Sequence, residues 1–245
     1  MSKKRIWRLP VLLVLAIVLV LAMLRLGVWQ LDRAAQKQNV LDKSLALSRQ
    51  AAVDLGLLTK LSDEQRFLPV TAKGQYLKEQ TLYLDNQVFN RQVGYQIITP
   101  FKLEGSNKLI LVARGWIAVG PSRERLPAIE TPAGLLTING RLNLPAPPPP
   151  LWNDDYAASD GARWQYIDLD DIAQRYQQAL QPLVLELHPT YVGDQALLRA
   201  WDLINDEWVA KHKAYAFQWF SMAAAFFIAC LVLLLRERRK NNRQI

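Results

Sequence analysis

The sequence predicts a membrane protein in which two transmembrane α-helices flank a β-rich, mostly antiparallel and barrel-like extracytoplasmic domain with minor helices. Three observations predict this fold class. Apolar residues concentrate in one run near each end of the 245-residue chain, basic residues cluster on the outer side of both runs, and short β-type runs bounded by turn residues fill the middle.

The first apolar run is unbroken from Leu9 to Leu24 and continues past Arg25 to Trp29, with Trp7 just before it. A helix of about 22 residues is about 33 Å long, which matches the roughly 30 Å hydrocarbon core and places the two indoles in opposite interfaces. Residues 1–8 are therefore predicted to be a cytoplasmic tail and residues 9–29 transmembrane helix 1. A cleavable signal peptide is the alternative, but the run exits through bulky and charged residues instead of a small-residue cleavage site.

The second apolar run, Tyr215–Leu235, has no formal charge and is followed at once by a basic cluster. Residues 211–235 are predicted to be an interfacial start and transmembrane helix 2, and residues 236–245 a second cytoplasmic tail. Since basic flanks mark the cytoplasmic side, both termini are cytoplasmic and the central domain is exported. Ser221, Ala225 and Ala229 recur every four residues, so they either admit another helix closely, from this chain or from a larger complex, or are tolerated filler.

The central segment divides into a helical stalk over residues 30–66 and a β-rich domain over residues 67–210. The stalk is predicted because residues 31 to about 58 lack proline and repeat apolar residues every three to four positions. Strands are predicted at 70–77, 81–84, 94–103, 108–119, 134–144, 164–169 and 183–187, with a helix over 170–180 capped by Asp168 or Asp170. Loops are predicted at 85–87 and 104–107, and the prolines of 145–150 predict an extended connector. A closed barrel and a sandwich both fit this pattern.

Composition excludes several functions for the exported domain. The net charge of +8 comes from the membrane flanks, so no basic face remains for nucleic acid, and we expect no nucleic-acid partner. The single cysteine, Cys230, allows neither an intramolecular disulfide nor a thiolate pair for copper. Nucleophile and phosphate-binding motifs are missing and only two histidines occur, so we expect that the protein is not an enzyme.

His212 is the residue whose position indicates chemistry. It lies three residues before the second apolar run, and helical spacing places it on one face with Tyr215, Trp219 and Met222. An imidazole at the membrane edge, above aromatic groups, suits an axial ligand of a haem that is partly embedded in lipid. An interfacial histidine in an ordinary aromatic belt is the alternative.

Several blocks of sequence resemble the surfeit-locus (Surf-one) family of cytochrome c oxidase assembly proteins. In order along nearly the whole chain they are Leu26–Arg33 with Lys37, Gly74–Tyr76, Gly94–Pro100, Leu111–Trp116 and His212–Phe220. The residues that carry the family motifs are Gly27, Trp29, Gln30, Arg33, Arg114, Gly115 and Trp116. The chain departs from the pattern at Ala113, where the family often has a polar residue, and in its proline run.

The resemblance implies a non-enzymatic assembly factor that binds haem a and helps its insertion into the cytochrome c oxidase core subunit. It implies His212 as a haem-iron ligand, with Tyr215 and Trp219 lining the same site, and haem a synthase and membrane lipid as further partners. A scaffold that stabilises the core subunit without binding haem is the alternative. Because no mitochondrial presequence precedes the first span, we expect a bacterial inner membrane with the central domain in the periplasm.

Two motifs also have purely structural interpretations. Trp29 and Arg33 are i, i+4 neighbours that anchor a helix at the interface through stacking and phosphate contact. In Arg114-Gly115-Trp116, glycine permits close backbone approach within a strand and tryptophan fills the core. We favour the structural interpretation for both motifs.

Overall fold

The structure is a computed structural model that describes residues 3–58, 60–145, 159–194, 196–201 and 206–242, with backbone alone for residues 3–9, 159 and 240–242. The chain forms two compact units. One unit is helical and contains residues 1–42 and 203–245, and the other is the β-rich unit of residues 43–202.

The helical unit is an antiparallel pair formed by α1 (Lys3–Ser48) and α3 (Asp206–Asn242). Contacts near positions 27, 30 and 37 of α1 go to Phe220, His212 and Trp208 of α3, so the partner numbers fall as the α1 numbers rise. The first residues of α1 and the last residues of α3 therefore lie at the same end of the hairpin. Both helices are long and apolar enough to cross a membrane, and their apolar windows are largely exposed, which is typical of helices that face lipid.

Close packing of the pair uses small residues other than the predicted stripe. Ala216 and Ala223 of α3 are each 1% exposed, whereas Ser221, Ala225 and Ala229 are exposed. On α1, an added Cβ at Gly27 would lie 2.6 Å from the Phe220 ring. The predicted stripe therefore does not pack on the first span, because the residues that face α1 follow the alternating three- and four-residue spacing of a two-helix seam.

The stalk helix ends earlier than the sequence predicts, at Ser48 and not near Leu58. The following residues form a two-residue strand, β1 (Val53–Asp54), and a 3-10 turn in which the Asp54 carboxylate accepts from the Gly56 amide at 2.8 Å. Leu55 is 2% exposed in the core of the β-rich unit. Burial of this side chain outweighs helix propensity, which is worth only about 1 kcal/mol per residue.

The β-rich unit is a closed barrel, and not the sandwich that the sequence pattern also allowed. Its strands are β2 (Pro69–Tyr76), β3 (Leu82–Phe89), β4 (Gln92–Leu103), β5 (Leu109–Ala118), β6 (Leu136–Asn143), β7 (Ser159–Asp160), β8 (Arg163–Trp164) and β9 (Leu180–Leu187), with one helix, α2 (Leu169–Tyr176). The order β2-β6-β9-β5-β4 closes on itself because the end of β4 also pairs with β2. All neighbouring pairs in this ring are antiparallel except β5 with β9.

Two layers of apolar side chains stabilise the barrel. The interior is filled by residues such as Val70, Phe101, Ile110 and Leu185, all fully buried. The outer face of β3, β4, β5 and β9 carries a second cluster, which includes Trp164 and is partly covered by α2. Because β5 is buried on both faces, it has the continuous apolar run of a central strand instead of alternation.

Several local predictions are confirmed and others need correction. Asp168 is the N-cap of α2, since its carboxylate accepts from the amides of Asp170 and Asp171 at 3.0 and 3.1 Å. The loop predicted at 85–87 is instead a bulge within β3, and the turn lies at Asn90-Arg91, where both residues have positive φ as two-residue hairpins require. The predicted strand at 164–169 is reduced to β8. The proline connector after Pro145 lies outside the described residues.

Candidate functional site

His212 lies in the second turn of α3 and is half-buried in the helix pair. Trp219 is half-buried two turns further along the same side of the helix, and Tyr215, at the edge of that side, is 53% exposed. Trp208, one turn before His212, is 55% exposed. The helix therefore presents an imidazole next to the large aromatic surface that the spacing predicts.

The His212 ring is held by a hydrogen bond to the other helix. Its Nδ1 lies 2.7 Å from the Oε1 of Gln30 on α1, a residue 182 positions away in sequence. An amide oxygen can only accept, so this contact is a hydrogen bond when Nδ1 carries the ring proton, and a neutral ring then has its lone pair on Nε2. The sequence motif contained Gln30, but its partner could not be read from the sequence.

The remaining motif residues of α1 surround Gln30. Gly27 lies one turn before it and allows the close approach of Phe220. Trp29 is 43% exposed, and the Arg33 guanidinium lies 5.7 Å from the centre of its ring while donating to the Gln36 side chain at 3.0 Å. Stacking between Arg33 and Trp29 is the arrangement expected of an interfacial anchor.

The donor set in the helical unit fits haem iron. A neutral histidine with a free Nε2 is the most common protein ligand of haem iron, and a hydrogen bond from its Nδ1–H to a fixed oxygen is the usual way in which such a ligand is oriented. Exposed rings beside it supply apolar, planar surface for a macrocycle. In the described part of the chain, no group of three or more His, Cys, Asp or Glu side chains is placed to hold a metal ion by itself.

Arg114 lies elsewhere, in a buried ion pair of the barrel. Its side chain is 0% exposed and that of Asp194 is 2% exposed, and the two form a bidentate pair with distances of 2.9 and 2.5 Å. The guanidinium also donates to the Thr131 hydroxyl at 2.7 Å and to the Glu130 carbonyl at 2.6 Å. Asp194 was missed at the sequence level because its partner is 80 residues away.

This ion pair attaches the segment after β9 to the barrel. Arg199 donates to the carbonyl oxygens of Arg114 and Asp194 at 2.9 and 2.6 Å. Tyr76 packs under the Arg114 guanidinium at 5.1 Å, and burial, followed by the charge of Asp194, raises the pKa of Tyr76 well above its usual range. The pair therefore organises a network of packed and hydrogen-bonded groups.

Gly115 and Trp116 complete this attachment. Gly115 has φ +149°, and an added Cβ would lie 2.7 Å from the Cβ of Leu197, so only glycine permits this approach. The Trp116 backbone pairs with Leu198. Its indole is half-buried, donates to the Gln87 carbonyl at 2.9 Å and packs against the Phe89 ring. Trp116 therefore covers the sheet, and the prediction that it fills the core is wrong.

A groove of about 750 Å³ lies on the outer face of the barrel. Its floor includes the buried side chains of Leu84, Ile98 and Val184, and its walls include Trp116 and Trp201. Its volume is in the range of small-molecule sites. None of the described residues that line it is His, Cys, Met or Tyr, so they supply none of the usual side-chain ligands of haem iron.

The second histidine provides a contrast with His212. His188 follows the last residue of β9, is exposed, and has its Nδ1 2.8 Å from the Thr190 hydroxyl. It lies in a turn, and no cluster of aromatic rings surrounds it in the described residues. It is therefore a matched control for experiments on His212.

The comparisons with known proteins point to one family. Residues 17–224 match the model of the SURF1 family. A SURF1-like protein of Rickettsia bellii is 34% identical over 95 residues, which are 38% of this chain and 38% of the relative. A SURF1-like protein of Caenorhabditis elegans is 24% identical over 184 residues, which are 66% of this chain and 55% of the relative. The match therefore spans less than two thirds of the length of either relative.

Proposed function

From the premise that this chain belongs to the SURF1 family, which is generally associated with cytochrome c oxidase assembly, we propose a specific function. The protein is a membrane-anchored assembly factor that binds haem a. In this role it helps the insertion of haem a into the oxidase core subunit. It transforms no substrate, and its cargo is received from haem a synthase or from the membrane.

One observation carries the proposal. The half-buried His212 lies on an apolar helix between the exposed rings of Trp208 and Tyr215, at the end of the segment that is long enough to span a bilayer. An imidazole supplies the iron ligand, and the neighbouring rings supply surface that a hydrophobic porphyrin prefers to water. We place this face of α3 at the periplasmic side of a bacterial inner membrane, with both termini in the cytoplasm, because basic residues flank the outer ends of both helices.

The second candidate is a scaffold that binds the core subunit without binding haem. It is favoured by the exposed small residues Ser221, Ala225 and Ala229, which leave one face of α3 open to another helix. The two candidates differ in whether His212 contacts a pigment.

The experiment is purification of the full-length protein from cells that make haem a. We expect co-purified pigment whose absorption spectrum is lost or shifted in His212→Ala and unchanged in His188→Ala. A colourless wild-type protein that still captures the core subunit would establish the scaffold instead. Equal pigment in the wild type and His212→Ala would refute His212 as the ligand.

A further inference from the structure

We propose that Gln30 is a positioning residue that fixes the tautomer and orientation of the His212 imidazole, and so keeps Nε2 available to bind a metal. This inference rests on the proposed function, because it assigns a task within the same site. Unlike the proposed function, the role of Gln30 depends on one contact, the 2.7 Å hydrogen bond between Gln30 Oε1 and His212 Nδ1.

The chemistry of the two groups determines the direction of this bond. A neutral imidazole carries its proton on either nitrogen, and in water the two tautomers exchange. An amide oxygen accepts but cannot donate, so its proximity to Nδ1 selects the tautomer with the proton on Nδ1. That tautomer has its free lone pair on Nε2, the nitrogen that points away from the bond.

The helix pair holds Gln30 in place on both sides. One turn before it, Gly27 allows Phe220 to pack against the α1 backbone. Two turns after it, the Lys37 ammonium lies 5.8 Å from the centre of the Trp208 ring. The amide therefore belongs to a packed seam, and its half-buried side chain has little freedom to point elsewhere.

Other polar side chains near this seam have partners of their own. Lys211 pairs with Glu207 at 2.8 Å, one turn apart on α3, and Arg33 is bound to Gln36 and stacked on Trp29. The 2.7 Å contact itself assigns Gln30 to Nδ1. Partners of this kind orient ligating histidines and raise their basicity, and their loss typically lowers metal affinity about 10–100-fold.

An ordinary interhelical hydrogen bond would also join these two atoms, so the test needs a readout that packing alone does not change. The chain contains only two histidines, which makes the nitrogen NMR spectrum of a ¹⁵N-histidine-labelled protein simple to assign with His188→Ala. The tautomer of His212 can therefore be measured in full-length protein in detergent, with no haem present. Hemin titration, followed by the Soret band, then gives the affinity for iron porphyrin.

Three variants separate the possibilities. Gln30→Leu removes the acceptor, Gln30→Glu keeps an acceptor oxygen, and Gln36→Leu is a matched control on the same helix. We expect His212 to be protonated on Nδ1 in the wild type and in Gln36→Leu, and to become a mixture of tautomers in Gln30→Leu. We expect the hemin dissociation constant to rise about 10–100-fold in Gln30→Leu and to be largely restored in Gln30→Glu, with similar melting temperatures for all four proteins.

An unchanged tautomer in Gln30→Leu, or unchanged hemin affinity despite a changed tautomer, would overturn the inference while leaving the proposed function intact. A loss of affinity matched by a fall in melting temperature and not restored by Gln30→Glu would also overturn it, since that result describes packing. Equal hemin binding by the wild type and His212→Ala would refute His212 as the ligand, and the absence of hemin binding by the wild type would refute the proposed function; in both cases the NMR result would still decide whether Gln30 fixes the ring.

Discussion

Removal of the Asp194 carboxylate should destabilise the barrel more than any change to a surface ion pair. Asp194→Ala leaves the Arg114 guanidinium, which is 0% exposed, without its counter-charge. Breaking a buried pair from one side costs about 3–5 kcal/mol, because the remaining charge stays desolvated. At about 2–4 °C for each kcal/mol in a domain of this size, the melting temperature should fall by about 6–20 °C.

The matched control is the exposed pair formed by Lys73 and Glu104. Its nitrogen–oxygen distance is 2.9 Å, but the two side chains are 53% and 48% exposed. Water screens such a pair, so Lys73→Ala should cost about 0–1 kcal/mol. The comparison therefore tests whether burial, and not the presence of an ion pair, determines the loss.

The assay is thermal unfolding of the full-length protein in detergent, followed by near-ultraviolet circular dichroism of the aromatic side chains. Replacement of both partners, in Arg114→Met with Asp194→Leu, should recover part of the loss because no unpaired charge remains. Equal small shifts for Asp194→Ala and Lys73→Ala would refute the reasoning. A double variant whose loss equals the sum of the losses of the single variants Arg114→Met and Asp194→Leu would show that the partners do not interact.

Three further predictions concern single contacts. Tyr76→Phe should be neutral or stabilising at pH 7, because the buried Tyr76 hydroxyl has no hydrogen-bond partner in the described structure. Burial raises the pKa of Tyr76 in the folded protein, so ionisation of this residue in the unfolded chain should reduce the stability of the wild type above a pH of about 10. Urea titrations at pH 8 and pH 11 should therefore show a smaller loss of unfolding free energy between the two pH values in the variant than in the wild type. Gly27→Leu should lower the melting temperature of the helix pair, measured by far-ultraviolet circular dichroism, because the leucine side chain would overlap the Phe220 ring. Adding Phe220→Ala should recover part of this loss. No recovery in the double variant would contradict the contact between Gly27 and Phe220. Trp116→Phe removes the indole donor to Gln87 and should cost about 0.5–1.5 kcal/mol in urea unfolding, whereas no loss would show that the hydrogen bond is not stabilising.

The sequence was sufficient for features that depend on local pattern. Apolar length and flanking charge identified both candidate spans, and alternation with turn residues located β2, β4, β5, β6 and β9 to within a few residues. A cap at Asp168 or Asp170 followed from a rule that acts within three residues, and the structure places it at Asp168. Local rules failed where tertiary burial competes with propensity, as at the early end of α1 and at the bulge in β3.

For the candidate site, the sequence by itself determined that an imidazole stands beside aromatic residues at the start of the second span, because residues three, four and seven apart share a helix face. Only the tertiary structure decided that Gln30 binds His212, that Asp194 pairs with Arg114, and that the sheet closes as a barrel. The reason is physical. Each of these contacts joins residues far apart in sequence, so the choice of partner depends on how the whole chain packs and not on any spacing within one segment.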